Sequence, residues 1–318
     1  MCIRDRGETG AGGGLVVTYA AGTHGNTRRH PDGPDRRAIF HLVAAYDTVP
    51  LYPMSLRAEH IGVSYEDGMR LRDVFCAIRP GEITVIIGPN GSGKTSLIKV
   101  LSGELAPSRG RVTLDDTDLR SWSPVALARR RAVMPQHARL DFPFRVRDVV
   151  ALGRSPYPGN VEQDRRLVAE AMACFDISLL ADRMYTTLSG GERQRVHLAR
   201  VWAQLSDFTP DQPRYLLLDE PVSALDIKHQ RELMELLRES VATGNLGVGV
   251  VLHDLGSAAR HADRMILMQV GGILAQGGRD QVLSVENLER AYQVPVSFIR
   301  YPQGSSYVLA IPREESPS

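Results

Sequence analysis

Ile83-Thr84-Val85-Ile86-Ile87-Gly88-Pro89-Asn90-Gly91-Ser92-Gly93-Lys94-Thr95 is the stretch from which the fold of this chain can be read. Its first five residues are a continuous, largely β-branched apolar run, as a parallel strand buried on both faces requires. The next eight fit G-x-x-x-x-G-K-[ST], between that strand and a stretch, 94–101, that reads as a helix. Glycine lets the backbone curl until several N–H groups face one point, an approach that a Cβ would obstruct. The amino end of the helix adds its positive dipole at the same place. Lys94 then reaches the β- and γ-phosphates of a nucleotide as a point charge, and the Thr95 hydroxyl can ligate Mg2+. At ordinary residue frequencies a chance match is about one in a hundred, and the strand–turn–helix context lowers that further. Gly88 to Thr95, with Ser96 next in the helix, are the expected nucleotide-binding residues.

Working outward, the runs 215–218 and 248–252 repeat the buried-strand pattern, and 146–204 is mostly helical. Strands alternating with helices predict an α/β fold, a parallel sheet covered on both faces. Ligands of such sheets gather beyond the carboxyl ends of the strands. Asp219 and Glu220 follow the 215–218 run directly. Asp219 is expected to hold Mg2+ through water, and Glu220 to orient and deprotonate an attacking water. Alone, two acids at a strand end would more simply face solvent; beside a phosphate cradle they gain a purpose. His253 ends the third run at the same edge. A lone histidine is more often structural, but this position favours a γ-phosphate contact. Gln136, judged by spacing alone, is an ordinary polar loop residue. Upstream, 56–64 and 74–78 alternate as strands, with a turn at Pro80-Gly81. The stretch 136–188 reads as an inserted helical subdomain.

Composition narrows the remaining possibilities. A chain of 318 residues with 43% apolar content can bury one large α/β domain, or a nucleotide-binding core with a smaller insert. Its 38 Lys+Arg against 37 Asp+Glu give a formal net charge of +1. No global field is available for nucleic acid or an acidic membrane surface, so phosphate binding has to be local. Cys2, Cys76 and Cys174 form no C-x-x-C pair, so neither a zinc site nor a disulfide framework is implied, and a reducing compartment is the simpler setting. No run approaches the roughly 20 apolar residues of a spanning helix, so a role at a membrane would be served from the water side. Residues 1–53 differ from the rest, with a glycine-rich run followed by a His/Arg/Asp/Pro-rich stretch. They are expected to be a disordered or non-native tail, and Met54 is a candidate start.

Leu188-Ser189-Gly190-Gly191-Glu192-Arg193-Gln194 resembles the signature motif of ABC ATPases, and it lies between the phosphate loop and the acidic strand as in that family. The resemblance covers about residues 55–310, with a short tail at 311–318. It implies a P-loop NTPase core of the ABC ATPase type, with a parallel sheet, an antiparallel β subdomain and a helical subdomain at about 137–196. It also implies roles. Tyr65 would stack on adenine, a contact worth about 1–3 kcal/mol by analogy with base stacking; the lesser alternative is a strand-end tyrosine of the core. Gln136 would link the γ-phosphate and Mg2+ to the helical subdomain, and His253 would be the switch histidine. Ser223, Ala224, Leu225 and Asp226 would form a loop crossing a dimer interface. Ser189, Gly190 and Gly191, ahead of a helix starting at about Glu192, would form a second anion-binding helix terminus. In the family that end closes over the ATP of a second copy, head to tail about a two-fold axis.

The resemblance further implies two transmembrane permease subunits as partners, a substrate-binding protein engaged indirectly, no nucleic acid, and a peripheral place on the cytoplasmic face of the cell membrane. Met134-Pro135-Gln136-His137, Phe142-Pro143-Phe144, 146–149 and Leu152-Gly153-Arg154 look like the importer group for haem, ferric siderophores and cobalamin. The insert at 206–214 and the segment 283–294, with Tyr292-Gln293-Val294, are similar to hemin importers in particular. Val222 stands where many relatives carry Thr. Soluble ABC ATPases of chromosome maintenance would need long coiled-coil inserts between 136 and 188, and translation-factor relatives would carry two cassettes. A P-loop kinase or GTPase would lack the signature. The phosphate-cradle reading predicts that Lys94→Ala loses nucleotide affinity in calorimetry; unchanged ATP binding would count against it.

Overall fold

Alternation along the first regular segment builds an antiparallel sheet before the chain reaches its phosphate loop. The computed structural model describes residues 54–65, 68–136, 140, 142–157, 159–206, 212–299 and 309–312, all within the unit Pro50–Ser318. The expected tail at 1–53, residues 313–318 of the expected 311–318 tail, His137, the middle of the 206–214 insert and the Tyr65 side chain lie outside the described residues, whereas Ile311 and Pro312 end the last strand. β1 (Leu56–Tyr65) and β2 (Gly68–Ile78) pair antiparallel, with Leu56 opposite Ile78. β3 (Ile83–Ile87) opens the second sheet. β4 (Arg109–Leu114) returns to pair antiparallel with β1, and β5 (Thr117–Asp118) completes a sheet of order β2-β1-β4-β5.

The large sheet has six strands in the order β10-β9-β3-β8-β7-β6. β6 is Arg131–Met134, β7 Arg214–Asp219, β8 Leu246–Val251, β9 Arg264–Gln269 and β10 Gly272–Gly277. All neighbours are parallel except the edge pair β9–β10. The chain lays down β6, β7 and β8 inward toward β3, then crosses to place β9 on the other side of β3. The strand order therefore reverses at β3, and a crevice opens beyond its carboxyl end.

Every residue of β3, β7 and β8 is buried. A period of two divides them between two cores. Ile83, Val85, Ile87, Leu216, Leu218, Val248 and Val250 face one core. Ile86, Tyr215, Leu217 and Val251 face the other, which they share with the inner side of the antiparallel sheet and with Leu97, Ile98 and Leu101 of α1 (Lys94–Leu101). After α2 (Pro124–Arg130), α3 (Val146–Ala151), α4 (Val161–Cys174) and α5 (Gly190–Leu205) pack together and deliver Val149, Ala171, Val196 and Leu198 to the first core. Between 142 and 206 the described residues form helices and turns, with a single bridge pairing Arg145 and Met184. α6 (Ile227–Val241) and α7 (Leu255–His261) follow β7 and β8. α8 (Arg279–Val282), α9 (Val285–Tyr292) and the hairpin of β11 (Val296–Ile299) and β12 (Leu309–Pro312) come last.

The amino ends of the parallel strands carry a polar network rather than a site. Tyr215 donates its hydroxyl to Asp115 Oδ1 at 2.8 Å, Arg130 pairs with the other oxygen of Asp115, and Arg130 Nε donates to the Pro213 carbonyl at 2.9 Å. Burial, and then the Asp115 charge, push the Tyr215 phenol well above its ordinary range. Tyr215→Phe leaves Asp115 one donor short and should cost about 1–2 kcal/mol. It should read as a lower urea midpoint with an unchanged slope, and nucleotide affinity should stay the same because Asp219 lies at the other end of β7.

Candidate functional site

The phosphate loop is held from two sides before any side chain of the site is considered. Gly88 has φ +146°, and a Cβ there would lie 2.3 Å from the Met268 carbonyl oxygen on β9. The turn between β9 and β10 reaches the other flank: the Gly271 N–H donates to the Ser92 carbonyl at 3.0 Å, and the Arg72 N–H to the Gly271 carbonyl at 2.8 Å. α1 begins after Gly93, whose φ of +103° is left-handed, and no side chain caps it. Its first N–H groups are thus left to an anion. Lys94 Nζ donates to the carbonyls of Gly88 at 2.8 Å and Pro89 at 2.9 Å, which aims the ammonium over the loop. Burial lowers the Lys94 pKa, and the charges of Glu220 and then Asp219 oppose that shift.

Asp219, the last residue of β7, is 1% exposed. Burial raises its pKa, chiefly against a hydrogen bond with the Thr95 hydroxyl that lowers it. Its Oδ1 is buried with no hydrogen-bond partner. Glu220 follows with φ +53°, a left-handed conformation that an L-residue adopts at a cost of about 1–2 kcal/mol. Its Oε1 lies 2.5 Å from His253 Nε2. Glu220 and His253 come from adjacent strands, β7 and β8.

These groups share one cleft of about 640 Å³, lined by Arg70, Asn90, Gly91, Gly93, Lys94, Thr95, Ser96, Gln136, Glu220 and His253. Each expected lining group follows the carboxyl end of a parallel strand: Lys94 after β3, Gln136 after β6, Glu220 after β7 and His253 after β8. Gln136, which spacing alone leaves as a loop residue, thus stands in the cleft. Gly88, Pro89, Ser92 and Asp219 do not line it; the carbonyls of Gly88 and Pro89 hold Lys94, and Asp219 bonds with Thr95. Arg70, on β2, carries no motif, and its presence depends on the antiparallel sheet abutting the phosphate loop.

Leu188 to Glu192 are not among the residues that line this cleft. α5 starts two residues earlier than expected, at Gly190, because Ser189 is its N-cap in a capping box. The Glu192 N–H donates to Ser189 Oγ at 3.3 Å, and the Ser189 N–H to Glu192 Oε2 at 2.8 Å. These bonds hold the Glu192 carboxyl below its usual range. The Gly190 position is open, with nothing within 4 Å of where a Cβ would stand, whereas Leu188 is buried in the core. Ser223, Ala224 and Leu225 lie in the turn after Glu220, and Asp226 caps α6 by accepting from the His229 N–H at 2.9 Å.

A glycine-rich loop between strand and helix, with acids and a histidine on neighbouring strand ends, defines a P-loop nucleoside triphosphatase. Residues 71–223 match the family described as ABC transporter. The chain is 43% identical over 250 residues to the hemin import ATP-binding protein HmuV of Gloeobacter violaceus, covering 78% of this chain and 90% of that one. It is 46% identical over 289 residues to the HmuV of Nocardia farcinica, covering 87% and 98%. Among solved structures, a chain of a transporter described as of metal-chelate type, in an inward-facing conformation, superposes with a TM-score of 0.67 at 25% identity, covering 82% of this chain and 98% of that chain. A dimeric bacterial ABC transporter cassette gives 0.63 at 26% identity, covering 70% and 98%. The chain belongs to the ABC transporter family, as an ATP-binding and ATP-hydrolysing subunit. No helix among the described residues is long and apolar enough to cross a membrane.

The raised pKa of Asp219 carries a stability consequence. Folding favours its protonated form, so stability is lost as pH rises through the folded-state ionisation, above which the native protein buries a negative charge. Asp219→Asn should therefore raise the melting temperature near pH 7. The gain should shrink as pH falls through that raised ionisation, where the native acid becomes neutral. Thermal melts of both proteins across that range check the sign.

Proposed function

We propose that this chain is the ATPase subunit of a hemin importer, working as a head-to-tail pair of copies on the cytoplasmic face of the cell membrane against two permease subunits. The cargo assignment is carried by one observation: identity of 42% to 46% to hemin import ATP-binding proteins over about nine-tenths or more of their length. A substrate-binding protein outside the membrane would act on it only through the permease.

The residues of the cleft support the following division of labour. The loop N–H groups, the α1 amino end and Lys94 bind the triphosphate. Glu220 accepts a proton from the attacking water, and His253, 2.5 Å from its Oε1, orients that carboxylate and meets the γ-phosphate. Thr95, Gln136 and Asp219 fit Mg2+: Asp219 Oδ1 is a buried acceptor without a partner, and the site is one of oxygen donors. Among the described residues no three His, Cys, Asp or Glu side chains could hold a metal, so phosphate oxygens would complete the coordination. Bound there, Mg2+ would neutralise charge on the β- and γ-phosphates.

The open first turn of α5 supports the two-copy reading, because it stands outside its own cleft and would meet the nucleotide of a second copy. ATP would then close the pair by adding γ-phosphate contacts, and hydrolysis would remove them. The helical segment 142–206 would carry that motion to the permease. Glu220→Gln should keep ATP affinity while lowering turnover by about 10²-fold or more, and should give a stable ATP-bound dimer by size-exclusion chromatography. Turnover at the native rate would exclude Glu220 as the base. For cargo, the subunit should co-purify with its permease and respond to a hemin-loaded binding protein. A response only to a ferric siderophore or cobalamin would replace hemin by that cargo.

A further inference from the structure

We infer that Gln194 is a positioning residue for hydrolysis: from the second turn of α5 its side-chain amide holds the backbone of Glu220, so that a shift of this helix moves the Glu220 carboxylate. The contact spans two elements distant in sequence. Gln194 Nε2 donates to the Glu220 carbonyl at 3.1 Å, and the bond is half-buried. The same carbonyl accepts from the Ser223 N–H at 3.3 Å and from Ser223 Oγ at 3.1 Å. Those two bonds close Glu220's own turn, whereas the third ties that turn to another part of the molecule.

Glu220 is where such a tie has leverage. Its φ of +53° is a conformation an L-residue keeps only when its surroundings over-determine it. A small rotation there swings a carboxylate whose oxygen is 2.5 Å from His253. The rest of the loop leaves little slack. At the first turn of α5, a Cβ on Gly191 would stand 2.9 Å from the Ala224 carbonyl oxygen, so helix and loop meet backbone to backbone. From the opposite side, Gln230 Nε2 on α6 donates to the carbonyls of Val222 at 3.2 Å and Leu225 at 2.8 Å. The loop after Glu220 is therefore clamped between two helices, and α5 grips its first residue.

The open end of α5 is the end that would meet the second copy's nucleotide, and the inference rests on that two-copy reading. Its consequence is that occupancy of one cleft conditions the position of the base in the other. This bond reaches the Glu220 backbone and not Lys94 or the glycine turn, so the effect falls on the rate of the chemical step and not on affinity.

Two substitutions in the full chain test this. Gln194→Glu keeps the shape but replaces the donor with an acceptor facing a carbonyl, and Gln194→Leu removes hydrogen bonding altogether. Both should leave ATP affinity and KM within about twofold and lower kcat by about tenfold or more. In a Glu220→Gln background both should still form the ATP-bound dimer, which separates this contact from assembly. If Glu220→Gln alone stays monomeric with ATP, the two-copy reading fails. If the dimer forms and both Gln194 variants turn over at the native rate, the present inference fails by itself. A kcat loss that merely follows a loss of dimer or of folded protein in melting curves also overturns it. Should one variant fail to fold, the other decides.

Discussion

A buried ammonium and a buried carboxylate, Lys94 and Asp219, stand on neighbouring sides of one glycine turn, 5% and 1% exposed. Each suffers from burial and each is relieved in part by the other's charge. Two such groups persist in a core only when their surroundings are rigid and their partners are supplied. The six-stranded sheet provides the rigidity, because β3 and β7 flank β8 with every residue buried. Loop, helix and sheet order can all be understood as the means of keeping this pair in register with a polyphosphate.

Strain and unsatisfied polarity both occur around the phosphate loop. Gly88 is pressed against β9, Glu220 is left-handed, and Ser92 Oγ and Asp219 Oδ1 are buried without protein partners. At the opposite end of the sheet, Tyr215, Asp115, Arg130 and the Pro213 carbonyl satisfy one another. The open acceptors beside the phosphate loop are thus placed where a ligand arrives. α5 joins this arrangement from outside the cleft, with a capped but open amino end and, in its second turn, a glutamine whose amide donates to the Glu220 carbonyl. Under the two-copy reading, the same helix would offer one end to a neighbouring copy and one contact to its own cleft.

Much of the fold was legible because its decisive signals are local. The run 83–87, the loop after it and the helix 94–101 appear in the structure with the bounds expected from pattern alone, since a strand buried on both faces, glycine freedom and helix periodicity all act over a few residues. The run 215–218 is likewise a strand, one residue longer at each end, and 248–252 is a strand from 246 to 251, starting two residues earlier and ending one earlier. The start of α5 was displaced by two residues, because Ser189 and Glu192 form a capping box and draw Gly190 and Gly191 into the first turn. Arg131–Met134 is too short to display a period. Arg264–Gln269 looks like any apolar run until β3 is seen to lack a neighbour on one side.

The sequence by itself determined the chemistry: a triphosphate cradle, two acids and a histidine at strand ends, and a second helix terminus suited to an anion, each encoded by residues adjacent in the chain. Only the tertiary structure decided which of them meet. That Gln136, Glu220, His253 and Lys94 share a cleft, that Arg70 and the Gly271 turn border it, and that Gln194 reaches Glu220 all follow from strand order and helix packing. Those depend on pairings between distant segments, whose energies come from burial and backbone hydrogen bonds that no short stretch of sequence contains.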